Sequence, residues 1–506
     1  MADILLTTIN ARFQHASLGL RYLHANLGAL AGRARILEFV SGARTENIVE
    51  RILAAGPRIV GIGVYIWNVE ECTRLVAQLK RVAPRIAVVI GGPEVSHETE
   101  GQRICALADH VVTGAGEAAF AQLCTQLLVG PRPLMKVIPG GSPAPESLEL
   151  PYALYSDTDI RDRFLYVEAS RGCPFKCEFC LSSLDRTAEP FDLERFLAEL
   201  SRLHARGARV FKFVDRTFNL KVATSLRILD FFLERIEAAP QDPVFAHFEL
   251  VPDHLPDRLR DAIRRFPPGA LQFEIGIQTW NPEVQSLISR RQDDTKAAAN
   301  IAWLVAETHA HLHVDLIAGL PGEDLASFGA GFDRLVALGP HEIQLGILKR
   351  LRGAPIARHT ESHGLVFNPD PPYNVLATDR IAFADMQRVA RFARYWDLFA
   401  NSGRFRHTLP VLLGQAPFER FMAFSDWLFD RTDATHRLAL ERQFELARRW
   451  LLEDPSAAPE AVDRILARDY SESGARGRPG FLTKGASAPG AATATLAKRQ
   501  SRHLPT

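Results

Sequence analysis

Short apolar runs alternate with amphipathic stretches over the first 130 residues of the chain. β-Branched and aliphatic residues form five such runs, at Ile4–Thr8, Ala34–Glu38, Ile59–Val64, Ile86–Ile90 and His110–Thr113. Helical periodicity separates the runs, most clearly over Leu18–Leu30 and Asn68–Val82. Strands that alternate with helices are typical of a parallel sheet covered on both faces. The pattern therefore predicts an α/β domain over residues 1–130, built on a doubly wound sheet.

Glycine and polar residues follow four of these predicted strands. They occupy Asn10–Gly19, Tyr65–Asn68, Gly91–Glu94 and Gly114–Glu117. Ligands of doubly wound sheets bind beyond the carboxyl ends of the strands. We therefore expect these four loops to form a binding edge.

A second series of strands follows a segment rich in proline, glycine and serine. Residues 131–151 are predicted to be a linker between domains. Six apolar runs then alternate with helical segments, at Phe164–Glu168, Arg209–Val214, Phe245–Leu250, Leu271–Ile277, Val314–Ile317 and Ile343–Leu348. Six βα units predict a partial or full parallel barrel over residues 152–353, with its active site at the carboxyl ends of the strands.

Helical patterns dominate the remainder of the chain. Thr378–Trp396 and Arg431–Leu452 are the longest, so residues 354–470 are predicted to be a helical domain. Its aromatic residues either form a core or cover a substrate or partner. These are Tyr395, Trp396, Phe418, Phe421, Phe424, Trp427 and Phe429. Residues 471–506 have the composition of a disordered tail.

Charge and hydropathy limit the partners of the 506-residue chain. Lys and Arg number 60 against 59 Asp and Glu, a net charge of +1, so no overall field attracts nucleic acid or an anionic membrane. The longest apolar stretches are far shorter than the roughly 20 residues of a membrane span. The first residues lack the features of a secretory signal, and a cytoplasmic location is expected.

Three of the six cysteines fall within eight residues. Cys173, Cys177 and Cys180 follow the first predicted barrel strand, whereas Cys72, Cys105 and Cys124 are scattered and interpreted as buried thiols. Three thiolates in one loop can bind three irons of a [4Fe-4S] cluster and leave the fourth iron open to a small molecule. We expect Arg171 and Lys176 to favour the thiolates and Glu178 to oppose them. A structural zinc site is the alternative, but no fourth cysteine or histidine lies nearby in sequence.

The Cys-x3-Cys-x2-Cys loop resembles that of the radical S-adenosylmethionine (SAM) superfamily. Three downstream segments extend the resemblance, at Phe213–Asn219, Phe273–Thr279 and Val314–Glu323. With the sheet domain in front, the chain is most similar to radical SAM proteins that have a cobalamin (B12)-binding domain and a C-terminal helical extension. The resemblance implies a Rossmann-like B12-binding domain followed by a radical SAM (βα)6 partial barrel of the TIM type.

The resemblance also implies roles for residues near the cluster. Cys173, Cys177 and Cys180 match the cluster ligands, and Phe179 would pack near the adenine of SAM. Asp215 matches the position that holds the methionyl end, with capping of a strand as the alternative role. Glu274 and Gln278 are candidates for ribose or carboxylate contacts, provided that they share a face of their strand. The Gly319 turn would let the backbone approach the adenine. Arg216 departs from the acidic residue often found after this aspartate.

Cobalamin is the third cofactor that the resemblance implies. Gly91, Gly92, Gly114 and Gly116 would admit its nucleotide tail or corrin ring, and Tyr65 or Trp67 would cover a ring face. Methyl-transferring enzymes with a histidine below cobalt carry Asp-x-His-x-x-Gly, and His15 does not match this motif. His15 is therefore interpreted as a polar loop residue. A front domain with an empty cleft is the alternative.

The function implied is radical chemistry on an unidentified small molecule or peptide. A [4Fe-4S] cluster would cleave SAM to a 5′-deoxyadenosyl radical, with electrons from a reductant such as flavodoxin or ferredoxin. Cobalamin would then support methylation or rearrangement of the substrate. A non-catalytic iron-sulfur protein that senses redox state or binds a partner is the competing hypothesis. No second three-cysteine cluster and no basic β-barrel is evident, which separates the chain from RNA methylthiotransferases.

Overall fold

The computed structural model describes residues 2–131, 133–475, 479–480 and 500–503. The chain forms two compact units. The first consists of Met1–Arg216, Lys349–Ala357 and Asn368–Asn374, and the second of Thr217–Leu348, Arg358–Phe367 and Val375–Thr506. No helix among the described residues is long and apolar enough to cross a membrane.

A six-stranded parallel sheet forms the front of the first unit. Its strands are β1 (Ile4–Asn10), β2 (Ala34–Val40), β3 (Ile59–Gly63), β4 (Ala87–Gly91), β5 (His110–Thr113) and β6 (Val137–Pro139), in the order β2-β1-β3-β4-β5-β6. Five helices accompany them, namely α1 (Leu18–Ala25), α2 (Thr45–Ala54), α3 (Val69–Val82), α4 (Arg103–Leu107) and α5 (Glu117–Val129). All five predicted strands are present. The sixth, β6, lies in the predicted linker and pairs with β5 along the edge of the sheet.

Alternating side chains of the sheet supply two separate cores. Leu5, Val60 and Val88 belong to one, and Ile4, Ile59 and Val89 to the other. Successive strand residues point to opposite faces, and the helices bury both faces. This explains why the strands are almost continuously apolar.

The rest of the first unit carries the three clustered cysteines. It contains α6 (Asp157–Asp162), β7 (Leu165–Val167), β8 (Ser170–Arg171), β9 (Glu189–Pro190), α7 (Leu193–Ala205) and β10 (Val210–Phe213). Strand β10 pairs in parallel with β7, as expected for the first two strands of the second series.

Four further parallel strands organise the second unit. They are β11 (Phe245–Leu250), β12 (Leu271–Gln278), β13 (His311–Ala318) and β14 (Glu342–Ile347), each paired with the next. The helices between and before them are α8 (Val222–Ala238), α9 (Asp257–Arg264), α10 (Pro282–Leu287), α11 (Asp294–Glu307) and α12 (Leu325–Leu338). A short hairpin follows, made of β15 (Val366–Phe367) and β16 (Val375–Ala377). All six strands predicted for residues 152–353 are thus present, and the α/β fold class is confirmed.

Helices complete the second unit. They are α13 (Phe383–Phe399), α14 (Leu409–Leu413), α15 (Pro417–Thr432), α16 (Leu440–Leu451) and α17 (Pro459–Glu472). The predicted continuous helix over Arg431–Leu452 is wrong, because Asp433 takes a positive φ of 46° and ends α15. The aromatic residues predicted as either core or cover are mostly core, since Tyr395, Trp396, Phe421, Phe424 and Trp427 are buried.

Most of the predicted disordered tail, residues 471–506, lies outside the described residues. Gln500–His503 is described and forms a helical turn. The Nε2 atom of His503 lies 3.1 Å from the carbonyl oxygen of Asn401, so this turn packs on the helical region.

Candidate functional site

The three clustered cysteines lie in a tight loop between β8 and a 3-10 turn over Leu181–Leu184. The Cys173 N–H donates to the carbonyl oxygen of Asp185 at 2.8 Å, and the Cys180 N–H donates to that of Cys177 at 3.1 Å. Gly172 precedes the first cysteine with a φ of +91°, and a Cβ there would lie 2.9 Å from Asp185 Oδ1. The loop therefore requires glycine at this position.

The thiols of the loop are close enough to influence one another. Burial raises the pKa of Cys173, the Phe175 N–H opposes this, and negative charge at Cys180 and Cys177 raises the pKa further. Sulfur atoms that repel each other as thiolates are stabilised by a bound cation, which is the situation of a metal or iron-sulfur site. Phe179 is half-buried between the last two cysteines.

The scattered cysteines have a different environment. Cys72 and Cys105 belong to one core of the front sheet and Cys124 to the other. Burial raises the pKa of all three, that of Cys124 to about 12. The interpretation as buried thiols is confirmed, and these side chains are poor metal ligands at neutral pH.

Asp215 anchors the strand that leads into the cysteine loop. Its two carboxyl oxygens accept hydrogen bonds from the Ala169 N–H at 3.0 Å and the Ser170 hydroxyl at 2.6 Å. Burial raises the pKa of Asp215 to about 7, although these hydrogen bonds lower it. The contacts are those of a capping residue, and a contact with SAM stays a prediction.

Arg171 connects the cysteine loop to the front sheet. Its guanidinium donates twice to Glu168, at 3.2 and 3.0 Å, and once to Glu117 on α5, at 2.8 Å. It also lies over the rings of Tyr22 and Phe191. Burial disfavours the charged guanidinium, but the two carboxylates outweigh it and raise the pKa of Arg171. Its charge is therefore compensated by the two glutamates, and an effect of Arg171 on the thiolates stays a prediction.

Three predicted residues lie in the second unit. Glu274, Gly276 and Gln278 are half-buried and alternate along β12 with the buried Phe273, Ile275 and Ile277. Oε2 of Glu274 lies 3.3 Å from Nε2 of His247 on β11, a neighbour that the sequence did not reveal. A bulge between Gly276 and Gln278 interrupts the pairing with β13, and Gln278 has a positive φ of 72°. Strained backbone of this kind is a reason to consider a functional role for the residue.

Gly319, the third, ends β13 with a φ of +85°. A Cβ at this position would lie 2.4 Å from Val375 Cγ1 and 3.0 Å from Met386 Cε. Packing against β16 and α13 therefore already requires glycine here. An approach of this backbone to adenine remains a prediction.

A cavity of about 300 Å³ opens at the predicted binding edge of the front sheet. The predicted residues Tyr65, Gly91, Gly92, Gly114 and Gly116 all line it. Apolar side chains of α1, α5 and the sheet line its interior, among them Leu20, Leu23, Val89 and Phe120. The cavity thus extends from the glycine loops into the space between the sheet and its helices.

Two glycines of β3 make this space, and the sequence interpretation missed them. Gly61 and Gly63 line the cavity and lie on the same face of the strand, two residues apart. A Cβ at Gly61 would lie 2.8 Å from Phe120 Cζ. Glycine within a strand often marks a close approach of a ligand or backbone. The sequence signal that could have identified them is their spacing of two residues within a strand whose other residues are β-branched.

Trp67 and His15 are not among the residues that line the cavity. Trp67 stacks on Tyr65 with ring centroids 4.4 Å apart and is about half exposed, at 51%. Nδ1 of His15 lies 2.6 Å from the Tyr166 hydroxyl. One ring nitrogen of His15 therefore has the Tyr166 hydroxyl as its hydrogen-bond partner. This agrees with the interpretation of His15 as a polar loop residue.

Family models match three regions of the chain. Residues 4–124 match the B12 binding domain, residues 167–334 match the radical SAM superfamily, and residues 361–503 match a protein of unknown function (DUF4080). These matches agree with the order of folds predicted from the sequence.

Curated relatives and a solved structure extend the comparison. An uncharacterized methyltransferase of Pyrococcus horikoshii is 31% identical over 241 residues, which are 42% of this chain and 52% of that protein. The cobalamin-dependent radical SAM methyltransferase TokK of Streptomyces tokunonensis is 25% identical over 328 residues, 58% of this chain and 47% of TokK. The chain thus spans about half the length of these relatives. The structure of the cobalamin-dependent SAM radical enzyme OxsB with aqua-cobalamin bound has a TM-score of 0.58 and 13% identity, over 93% of this chain and 84% of OxsB. This last likeness shows the fold.

Proposed function

This chain combines a B12-binding domain with a radical SAM domain, and from that premise we propose that it is a cobalamin-dependent radical SAM enzyme that methylates its substrate. The observation that carries the proposal is the presence of both binding features in one compact unit. A loop that carries three cysteines and a glycine-lined cavity are joined there through Arg171.

The residues of the loop fit an iron-sulfur cluster. Cys173, Cys177 and Cys180 would bind three irons, and the fourth would be free to bind SAM. A zinc site would require a fourth nitrogen or sulfur ligand. Among the described residues, the only group of three His, Cys, Asp or Glu with ligand atoms within 4.8 Å of one another lies elsewhere, at His407, Asp469 and Glu472.

The cavity of the front domain fits part of a large organic cofactor. Its volume of about 300 Å³ is at the lower end for small-molecule sites, and its lining is largely apolar. Gly91, Gly92, Gly114 and Gly116 would allow the cofactor to approach the backbone at the mouth, and Tyr65 would offer a ring face. Leu23 and Phe120 would surround an inserted aromatic group, such as the base of a nucleotide tail.

When bound, the cluster supplies the electron that cleaves SAM and cobalamin supplies the methyl group. The chain's own residues orient these groups. Asp215 holds the strand that enters the cysteine loop, and Arg171 fixes this strand to α5. We also propose that Phe179 packs near the adenine, and that Glu274, Gln278 and the Gly319 turn contact SAM. The substrate is a small molecule or peptide, and the reductant is a small protein of the flavodoxin or ferredoxin class. A cytoplasmic location follows from the need to keep the thiols reduced.

Metal and product analysis tests the proposal. Protein produced and purified without oxygen, in cells supplied with cobalamin, is expected to contain about four irons and about one cobalt per chain. Cys177→Ser is expected to lose iron, whereas the matched control Cys105→Ser, in a buried core, is expected to keep it. On reduction with SAM present, 5′-deoxyadenosine reports radical cleavage and S-adenosylhomocysteine reports methyl transfer.

The other possible results contradict the proposed function in part or as a whole. Iron without cobalt contradicts cobalamin dependence and reduces the front domain to a substrate-binding role. Iron with no cleavage of SAM favours the non-catalytic iron-sulfur protein. Zinc in place of iron contradicts the proposal as a whole.

A further inference from the structure

One carboxylate at the cavity accepts a hydrogen bond through only one of its two oxygens. Glu117 is the first residue of α5 and lines the cavity beside Gly114 and Gly116. Its Oε1 atom accepts the hydrogen bond from Arg171, at 2.8 Å. Its Oε2 atom is buried and has no hydrogen-bond partner among the described residues. Only 8% of the side chain is exposed.

An unpartnered carboxylate oxygen at such a position is costly. A buried polar atom without a partner loses the hydrogen bonds that water would give it, and the loss is larger when the atom is charged. Buried polar atoms that lack a partner therefore call for an explanation, such as a missing ligand. The cavity beside Glu117 offers the space for one.

The chemistry of the position defines the ligand group. A carboxylate only accepts hydrogen bonds, so the missing partner carries an N–H or O–H. The N-terminus of α5 by itself would favour an anion, but a phosphate next to Glu117 would meet a like charge. The missing partner is therefore an uncharged or a cationic donor, and cobalamin offers uncharged ones: the primary amides around its corrin ring and the ribose hydroxyl of its nucleotide tail.

We propose that Glu117 is a cobalamin-binding residue, whose Oε2 accepts a hydrogen bond from a neutral donor of the cofactor while Arg171 holds Oε1. The inference rests on the proposed function, because it takes cobalamin as the occupant of the cavity. Arg171 is a positioning residue in this arrangement. It belongs to the strand that leads into the cysteine loop, two residues before Cys173, so a residue of the cluster region sets the affinity of the front domain for cobalamin.

Titration of the full-length, cluster-containing protein with hydroxocobalamin tests the proposal. Glu117→Gln keeps the shape of the side chain but removes the charge. An amide accepts through its oxygen only, so the NH2 group cannot accept the second hydrogen bond, from Arg171 or from the ligand donor. A hydrogen bond to a charged group is worth roughly 1.5–3 kcal/mol, so we expect cobalamin binding to weaken about tenfold to a hundredfold. Arg171→Lys cannot bind both glutamates through a planar fork, and binding is expected to weaken several-fold with iron content unchanged.

Glu98→Gln is the matched control. Glu98 pairs with Arg350 at the same edge of the sheet but does not line the cavity. We expect this variant to bind hydroxocobalamin like the wild type. Thermal melting of all three variants checks that the fold is intact.

Cobinamide distinguishes the two donors, because it has the corrin amides but lacks the nucleotide. If Glu117→Gln weakens cobinamide and cobalamin equally, the donor is a corrin amide. If it weakens cobalamin alone, the donor is the ribose hydroxyl.

The contrary results separate this inference from the proposed function. Equal affinity of wild type and Glu117→Gln for hydroxocobalamin overturns the role of Glu117 and leaves the cobalamin proposal standing. An equal loss in Glu98→Gln shows a general disturbance of the edge and likewise overturns it. Unchanged binding in Arg171→Lys contradicts the positioning role. If the wild type itself does not bind hydroxocobalamin, both proposals fail.

Discussion

The carboxyl group of Asp215 should make the cysteine loop sensitive to pH near neutrality. Asp215 is 3% exposed, and its oxygens accept hydrogen bonds from Ala169 and Ser170. Asp215→Asn is the informative change, because asparagine has the shape of the protonated acid. Its oxygen can accept from the Ala169 N–H, and its amide can donate to the Ser170 hydroxyl. The substitution therefore removes the titration and can keep these two hydrogen bonds.

The sign and size of the effect follow from the pKa. Burial raises the pKa of Asp215 from 3.8 to about 7 in the folded protein. The folded state therefore holds the proton more tightly, so stability is full below pH 3.8 and is lost as the pH rises through 7. Between pH 5 and 7 the loss is about 1.4 kcal/mol per pH unit, or roughly 3 kcal/mol in all. Asp215→Asn is expected to lack this loss.

Hydrogen exchange of the peptide that contains Ala169 measures the effect locally. After correction for the intrinsic exchange rate, wild-type opening should become easier from pH 5 to 8, by up to about a hundredfold for roughly 3 kcal/mol. The variant should change much less, and other titrating groups cancel in the comparison. A difference between the two proteins that stays constant over this range would refute the reasoning. It would mean that the two hydrogen bonds outweigh burial and that Asp215 is ionised throughout.

Three further substitutions test the packing and charges of the fold. Gly92→Ala should destabilise the front domain by roughly 1–3 kcal/mol in denaturant unfolding, because φ is +116° and a Cβ would lie 2.4 Å from a backbone oxygen. The control Gly101→Ala should not destabilise it, because a Cβ at this position would lie in open space. Glu38→Gln should cost roughly 1–3 kcal/mol in the same assay, because the buried guanidinium groups of Arg21 and Arg163 keep Asp159 but lose the negative charge of Glu38. Burial lowers the pKa of His341 to about 3, so stability should fall as the pH falls from 6.5 towards 3, and His341→Gln should reduce this acid sensitivity in melting experiments.

Local pattern was sufficient for most of the fold. The strands of the front sheet are continuous apolar runs between glycines, and all five predicted from such runs are present. Strand β6 was not predicted because Val137–Pro139 is only three residues long and lies within a proline-rich segment. It is stabilised by pairing with β5. The end of the helix after Thr432 was not predicted because apolar periodicity continues across it, whereas the backbone turns at Asp433. Pairing partners and single backbone angles are not encoded in periodicity.

The candidate site also has features that the local sequence predicts and contacts that it does not predict. The three cysteines are predictable because their spacing is local, and the glycine loops because each follows a strand. The contact between Arg171 and Glu117 joins residues 54 positions apart, and that between His247 and Glu274 joins neighbouring strands. Such pairs depend on how the strands come together, so a single sequence does not reveal them.

Directed polar contacts hold the cavity loops and the cysteine loop in one unit. The segment Lys349–Ala357 contacts both, since its Ile356 N–H donates to the carbonyl oxygen of Glu178 at 2.9 Å and Arg352 donates to Glu94 at 2.9 Å. Hydrogen bonds depend on angle and distance more than apolar contacts do. They therefore define how these loops lie beside each other, while the apolar cores supply the stability of the sheet itself. Cofactors that react with one another require this kind of fixed geometry, because small displacements cost large factors in rate.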